Sequence, residues 1–221
     1  MTIQEAYKRF LLKINKNDTN DEVRISPAEF VLGFNEASLN WLGNKIKQKN
    51  STDDINDLYE LLVEDEELPI FKESKKYNEF LLPDNFFKFV NATAIAEKGN
   101  CEKDLSVYNI KPKDKDSWLT DEMNNPSFEW EETISILTNK SLQVFKKDFE
   151  VTGVNLSYYR KPISVDIEGY INVDEIPSKT VHPDLSDENV NEIINRLALS
   201  IDLNYKNPES AQLNSQRIIT E

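Results

Sequence analysis

The chain has 221 residues and carries 40 acidic against 26 basic side chains, which gives a formal net charge of −14 at pH 7. A chain of this length buries about 70% of its unfolded surface on folding, so its core needs neither a disulfide nor a metal. One cysteine and one histidine exclude a Cys/His zinc site and an internal disulfide. The acidic balance disfavours a basic nucleic-acid-binding surface.

Membrane, export and nucleotide-binding signals are also missing from the sequence. No apolar run approaches the roughly 18 residues of a membrane span, and the first ten residues lack the apolar stretch of a secretory signal. The five glycines form no phosphate-binding loop. Carboxylates are the one catalytic group present in quantity, and their abundance alone is weak support for a hydrolase. We therefore expect no catalytic site, no cofactor and no metal.

The charge is unevenly distributed along the chain. Residues 1–50 have a net charge of +2, whereas residues 51–75 have a net charge of −7 and include the run Glu64, Asp65, Glu66 and Glu67. This run has two interpretations: a solvated helix end that keeps the protein soluble, or a surface that meets a basic partner.

Residues 1–75 have the pattern of about three amphipathic helices. Two capping boxes, Thr2 with Glu5 and Ser26 with Glu29, predict the starts of the first two helices. Gly33 lies inside the second helix, where we expect it to let another backbone come close. A third helix is predicted to begin after Ser51 or Thr52, to bury Ile55, Leu58, Tyr59 and Leu62, and to end by Pro69.

The pattern then changes to short strands. Five are predicted, at 87–97 with a bulge, 105–110, 132–137, 142–145 and 149–161, with a loop over 111–128. Strands in sequence without helices between them favour an antiparallel sheet. An amphipathic helix after Ser186 closes this domain, which we place at 76–203, so the predicted class is α+β. Residues 204–221 read as an extended polar arm that becomes ordered only against another surface, through Leu213, Ile218 and Ile219.

Two aromatic and two cationic residues end the last strand: Tyr158, Tyr159, Arg160 and Lys161, followed by Pro162. Tyr and Arg are enriched at protein–protein hot spots, which makes this group a candidate interface. The alternative is a strand end whose long side chains only reach towards solvent. Together with the acidic run and the apolar residues of the arm, these residues are the predicted interaction surface.

Several short motifs occur in an order that resembles a family of phage structural proteins. They are Leu82-Pro83-x-Asn85-Phe86, Met123-Asn124-Asn125-Pro126, Tyr158-Tyr159-Arg160-Lys161-Pro162, His182-Pro183 and Glu192-Ile193-Ile194-x-x-Leu197-Ala198. Over roughly residues 80–203 the chain is similar to head-to-tail connector proteins, neck or tail rings, of crAss-like tailed bacteriophages.

The resemblance implies a non-enzymatic ring subunit of the virion, at the head–tail junction or in the tail, assembled in the bacterial cytoplasm. Its partners would be copies of itself in a ring, usually dodecameric, and the portal and other connector or tail proteins. DNA would pass through the channel without specific binding, and no membrane would be involved. An alternative from the charge alone is an acidic inhibitor that mimics DNA and occupies a basic host enzyme.

Overall fold

A computed structural model describes residues 1–15, 24–47, 58–171 and 177–205. The helices are α1 (Ile3–Ile14), α2 (Pro27–Lys47), α3 (Lys115–Thr120) and α4 (Asp187–Tyr205). The strands are β1 (Leu62–Glu67), β2 (Ile70–Glu73), β3 (Tyr77–Leu81), β4 (Phe86–Lys98), β5 (Cys101–Asn109), β6 (Glu132–Leu137), β7 (Ser141–Phe145) and β8 (Glu150–Arg160). The predicted α+β class is confirmed.

The chain forms two compact units. One combines Met1–Glu60 with Pro162–Glu221, and the other is the continuous segment Leu61–Lys161. We call them the helical unit and the sheet unit. This division differs from the predicted boundaries at 75 and 203, because α4 belongs with the N-terminal helices while β1 and β2 belong to the sheet. The predicted arm lies outside the described residues from residue 206 onwards.

Local capping explains where the first two helices begin. The Thr2 hydroxyl accepts the N–H of Glu5 at 3.2 Å and starts α1. At the start of α2, Ser26 and Glu29 exchange bonds, with the Glu29 N–H donating to the Ser26 hydroxyl at 3.2 Å and the Ser26 N–H donating to the Glu29 carboxylate at 2.8 Å. The capping box at Ser26 and Glu29 is thus confirmed, whereas at α1 only the Thr2 cap forms and the Glu5 carboxylate accepts from Arg9 instead.

The core of the helical unit lies where α1 and α2 both pack against α4. The Phe30 ring lies 5.1 Å from that of Phe10 and 5.7 Å from that of Phe34, and all three side chains are buried. Gly33 faces Leu197 of α4, whose methyl carbon would come within 2.9 Å of a Cβ at this position. A close approach does occur at Gly33, but the atoms that approach belong to a leucine side chain and not to the predicted backbone.

The sheet unit is an eight-stranded sheet with the order β1-β8-β4-β5-β6-β7-β3-β2. β1 and β2 are its opposite edges, yet only Leu68 and Pro69 separate them along the chain. Two residues span at most about 10 Å, so the sheet must curl until its edges meet. Three bonds mark the junction: Leu68 N–H to Val154 at 2.9 Å, Leu81 N–H to the Pro69 carbonyl at 2.9 Å, and the Asn78 amide to the Val151 carbonyl at 2.8 Å.

The curled sheet encloses the main apolar core of this unit. Small residues on β4, namely Ala92, Ala94 and Ala96, lie among larger residues from the other strands such as Phe80 and Leu105. On a second patch, formed by β6 and β7, Ile134, Ile136 and Phe145 are buried, with Trp118 and Leu119 of α3 packed against them. Both faces of β6 are therefore covered.

The structure corrects several predicted elements. Five strands were expected and the described residues form eight, and β5 pairs with β6 in parallel rather than antiparallel orientation. The third predicted helix is wrong over 62–67, which is β1, and 58–61 is a single 3-10 turn; its earlier part lies outside the described residues. The predicted loop at 111–128 contains α3. The bulge predicted in β4 is confirmed by three shifts in its pairing with β8.

Candidate interaction surfaces

Pairing between β1 and β8 brings together two groups of residues that are far apart in sequence. Val63 lies opposite Tyr158, and Glu66 lies opposite Leu156. The register shifts between Val63 and Glu66, where Asp65 adopts a positive φ of 51°. The acidic run and the end of β8 are therefore neighbours at one edge of the sheet.

Tyr158 is part of the core of the sheet unit. Its side chain is buried, and its ring centroid lies 5.6 Å from that of Phe86. Its hydroxyl donates to Oε2 of Glu66 at 2.8 Å and lies 2.9 Å from Oδ1 of Asn85. Burial, and then the Glu66 carboxylate, raise the pKa of Tyr158 to about 12. This side chain joins β1 to β8 and offers no surface to a partner.

The other predicted interface residues differ in their exposure. Tyr159 is buried like Tyr158, whereas Arg160 is half-buried and Lys161 is exposed. In the acidic run, Glu66 is half-buried, while Glu64, Asp65 and Glu67 are exposed. Three carboxylates are therefore available on β1. Leu213, Ile218 and Ile219 lie outside the described residues.

Sequence reasoning missed an apolar cleft where β4 and β5 separate. The two strands pair from Thr93 with Ser106 to Lys98 with Cys101, and beyond Ser106 strand β5 pairs with β6 instead. An open cleft of about 500 Å³ lies at this split, and its apolar lining is Phe86, Phe87, Phe89, Val90, Val107, Tyr108 and Leu137. On the side towards β5, no described strand pairs with residues 86–92 of β4.

A signal for this cleft is present in the sequence. In the run Phe86-Phe87-Lys88-Phe89-Val90, apolar residues fall on both faces of the strand, which a sheet with one buried face does not require. Val90 is 38% exposed and Tyr108, across the cleft, is 46% exposed. The Tyr108 hydroxyl donates to Glu132 at 3.1 Å, and this bond raises the pKa of Tyr108.

Strand β2 is a second unusual surface of the sheet unit. It pairs only with β3 among the described strands, and all four of its residues are exposed. Ile70 is 44% and Phe71 is 64% exposed. An exposed edge strand with apolar side chains presents free backbone donors and acceptors, and proteins normally protect such edges against pairing with another chain.

In the helical unit, the main polar cluster surrounds a single carboxylate. Glu192 of α4 accepts from Nε1 of Trp41 at 3.0 Å, from Lys45 at 3.1 Å and from Arg196 at 2.9 Å. Burial raises the pKa of Glu192, but the hydrogen bonds from Trp41, Arg196 and Lys45 outweigh it and leave the pKa below its ordinary value. The donors come from α2 and α4, so this cluster fastens one helix to the other.

The described part of the chain shows neither a metal-binding cluster nor a membrane-spanning helix. Within it, no three His, Cys, Asp or Glu side chains are grouped as a metal site would require. None of the helices placed there is long and apolar enough to cross a bilayer. Compared with known proteins, the chain matches no protein-family model, and no curated protein sequence matches it either.

Proposed function

We propose that the protein is a structural subunit that assembles with copies of itself into a ring of a tailed-phage particle, in the head-to-tail connector or tail. The observation that supports this proposal is the presence of two unlike exposed surfaces on one sheet. One is the apolar cleft between β4 and β5, and the other is the exposed edge strand β2.

Unlike surfaces are what a ring subunit requires. In a ring, each subunit presents one patch to the neighbour ahead and a different patch to the neighbour behind, and the assembly closes by rotation. A symmetric dimer, in contrast, needs only one self-complementary patch. The net charge of −14 also suits a channel wall, because an acidic wall does not hold passing phosphate groups.

The assembly can be tested with the full chain. We would measure its mass by light scattering after gel filtration, alone and mixed with the portal and tail proteins of the phage to which the proposal assigns it. The expected result is a concentration-dependent oligomer, or a stable complex with at least one of these proteins. A protein that stays monomeric at every concentration and binds none of them would contradict the proposal.

A further inference from the structure

We infer that the ring contact is a strand addition, in which β2 of one copy pairs along the free edge of β4 inside the cleft of a second copy. This inference rests on the proposed function and specifies its interface. In strand addition, backbone hydrogen bonds give affinity while pockets for alternate side chains give specificity. The sheet unit supplies both halves of such a contact.

The acceptor half is the edge of β4 from Phe86 to Ala92. Five of these seven residues pair with β8, all except Phe87 and Val90, which lie at bulges. None of the seven pairs with β5, which has turned away to pair with β6. At about 3.4 Å per residue the edge is at most about 24 Å long, because two bulges shorten it. It is bordered by apolar side chains that include Phe87 and Val90. An incoming strand would find both unpaired backbone groups and an apolar surface there.

The donor half is β2, from Ile70 to Glu73. Its four residues extend about 13 Å, so it fits within the free edge of β4. Phe71 is 64% exposed and becomes buried if it enters the cleft. Burying an exposed phenylalanine side chain favours association, which makes Phe71 the expected anchor.

Opposite charges lie near the two halves, although β2 also carries the exposed Lys72 and is followed by the exposed Lys75 and Lys76. Glu64, Asp65 and Glu67 are exposed on β1, immediately before β2 in the chain. Lys88 is exposed on the cleft strand β4, and Lys111 and Lys113 are exposed just after β5. Opposite charges around an interface steer the approach and fix its orientation. One interpretation of the acidic run was a surface that meets a basic partner. In this inference the basic partner is the cleft region of a second copy of the chain.

The positions of the two halves allow both to be occupied at once. In the strand order, β6, β7 and β3 lie between β5 and β2. One copy can therefore donate β2 to one neighbour while it accepts β2 from another. This arrangement is head-to-tail, and it closes into a ring when the rotation between neighbouring copies brings the last copy back to the first.

Two single substitutions test the inference. Phe71→Lys blocks the donor and leaves the cleft intact, whereas Val90→Lys blocks the cleft and leaves the donor intact. We expect each variant alone to associate at least tenfold more weakly than the wild type in sedimentation velocity. An equimolar mixture should restore a one-to-one dimer, because one intact donor and one intact cleft remain in it. Leu12→Lys, at an apolar residue of α1 that is more exposed than Phe71 or Val90, should associate like the wild type.

The outcomes separate this inference from the proposed function. If the wild type associates and the two variants associate equally well, or their mixture gives no dimer, strand addition is wrong while the ring proposal survives. If the chain truncated after Tyr205 loses association, the C-terminal residues are the occupant and the inference is again wrong. A wild type that stays monomeric alone but binds the portal contradicts the strand addition only. Matching circular dichroism spectra would establish that each variant is folded.

Discussion

The hydrogen bond of its hydroxyl group explains why Tyr158 belongs to the core of the sheet unit and not to an interface. Tyr and Arg together at a strand end suggest a hot spot, but a tyrosine that finds a buried acceptor is satisfied within its own unit. Here the acceptor is Glu66 on the neighbouring strand, at 2.8 Å. The bond holds the bulged part of β1 against β8, where Asp65 has a positive φ. The tyrosine therefore stabilises an edge strand.

Replacing Tyr158 by phenylalanine tests this role. The substitution leaves Glu66 without its donor, and we expect the free energy of unfolding to fall by about 1–2 kcal/mol at pH 7. Tyr108→Phe is the matched control, because Tyr108 also donates to a glutamate but is 46% exposed. The free energy of unfolding of Tyr108→Phe should fall by less than about 0.5 kcal/mol. Equal losses in urea denaturation would contradict the role assigned to Tyr158.

The raised pKa of Tyr158 adds a pH dependence to the same comparison. Its ordinary pKa is 10.0 and the folded value is about 12, so the folded state holds the proton more tightly than the unfolded state. The stabilisation is complete below pH 10 and is lost as the pH rises towards 12. We expect the difference in unfolding free energy between the wild type and Tyr158→Phe to shrink over this range.

At the scale of elements, α2 and α4 are joined by one half-buried carboxylate with several donors. Lys45 and Arg196 both bond to Glu192. A buried or half-buried charge is stable only when it is paired, so the pair and the helix contact depend on each other. Gly33 lets Leu197 approach on the same two helices. The apolar contact at Gly33 and the ion pairs of Glu192 thus both hold α2 against α4.

Glu192→Gln removes the charge but keeps the shape of the side chain. We expect it to lower the free energy of unfolding by about 1–2 kcal/mol at pH 7, since charge-assisted hydrogen bonds are lost. The pKa of Glu192 lies below its ordinary value of 4.5, so the wild-type stabilisation is present above pH 4.5 and is lost as the pH falls further. The two proteins should converge in acid.

A control for this experiment is Glu36→Gln on α2, where the side chain is exposed. It changes the net charge by the same amount, so any general effect of charge on stability appears in both variants. Thermal unfolding at pH 7 and at pH 3 gives the comparison. A loss for Glu192→Gln that matches Glu36→Gln, or that persists at pH 3, would contradict the assigned cause.

Local signals predicted some elements and failed on others for physical reasons. Capping boxes located α1 and α2, and the apolar alternation at 132–137 predicted β6 with the bounds it has. β1 was missed because Glu64, Asp65 and Glu67 point to solvent, so its sequence resembles a polar helix end. The cleft depends on where β5 leaves β4 for β6, which is a long-range pairing that no local pattern encodes.

At the scale of the whole molecule, the chain is built as a sheet unit inserted into a helical unit. The helical unit takes its residues from both ends of the chain, whereas the sheet unit is the continuous segment Leu61–Lys161. Within the sheet unit, Leu62 lies opposite Tyr159. The first and last strands are therefore antiparallel neighbours, and the unit begins and ends at one place. Adjacent termini are what allows a domain to be inserted into a loop of another.

The insertion predicts that residues 61–161 fold on their own. The curled sheet encloses its own apolar core, and pairing of β1 with β8 joins the ends without help from the rest of the chain. Expressed alone, this segment should unfold in a single cooperative step and give a dispersed amide NMR spectrum. A second segment that begins at residue 76 lacks β1 and β2 and serves as the control. It leaves Tyr158 without Glu66 and opens the sheet where its edges meet, so it should be unfolded or compact without fixed packing.

If both segments fold equally well, the closure through Leu68 and Pro69 contributes little to the stability of the sheet unit. If neither folds, the sheet unit depends on the remaining residues of the chain and is not an autonomous insertion.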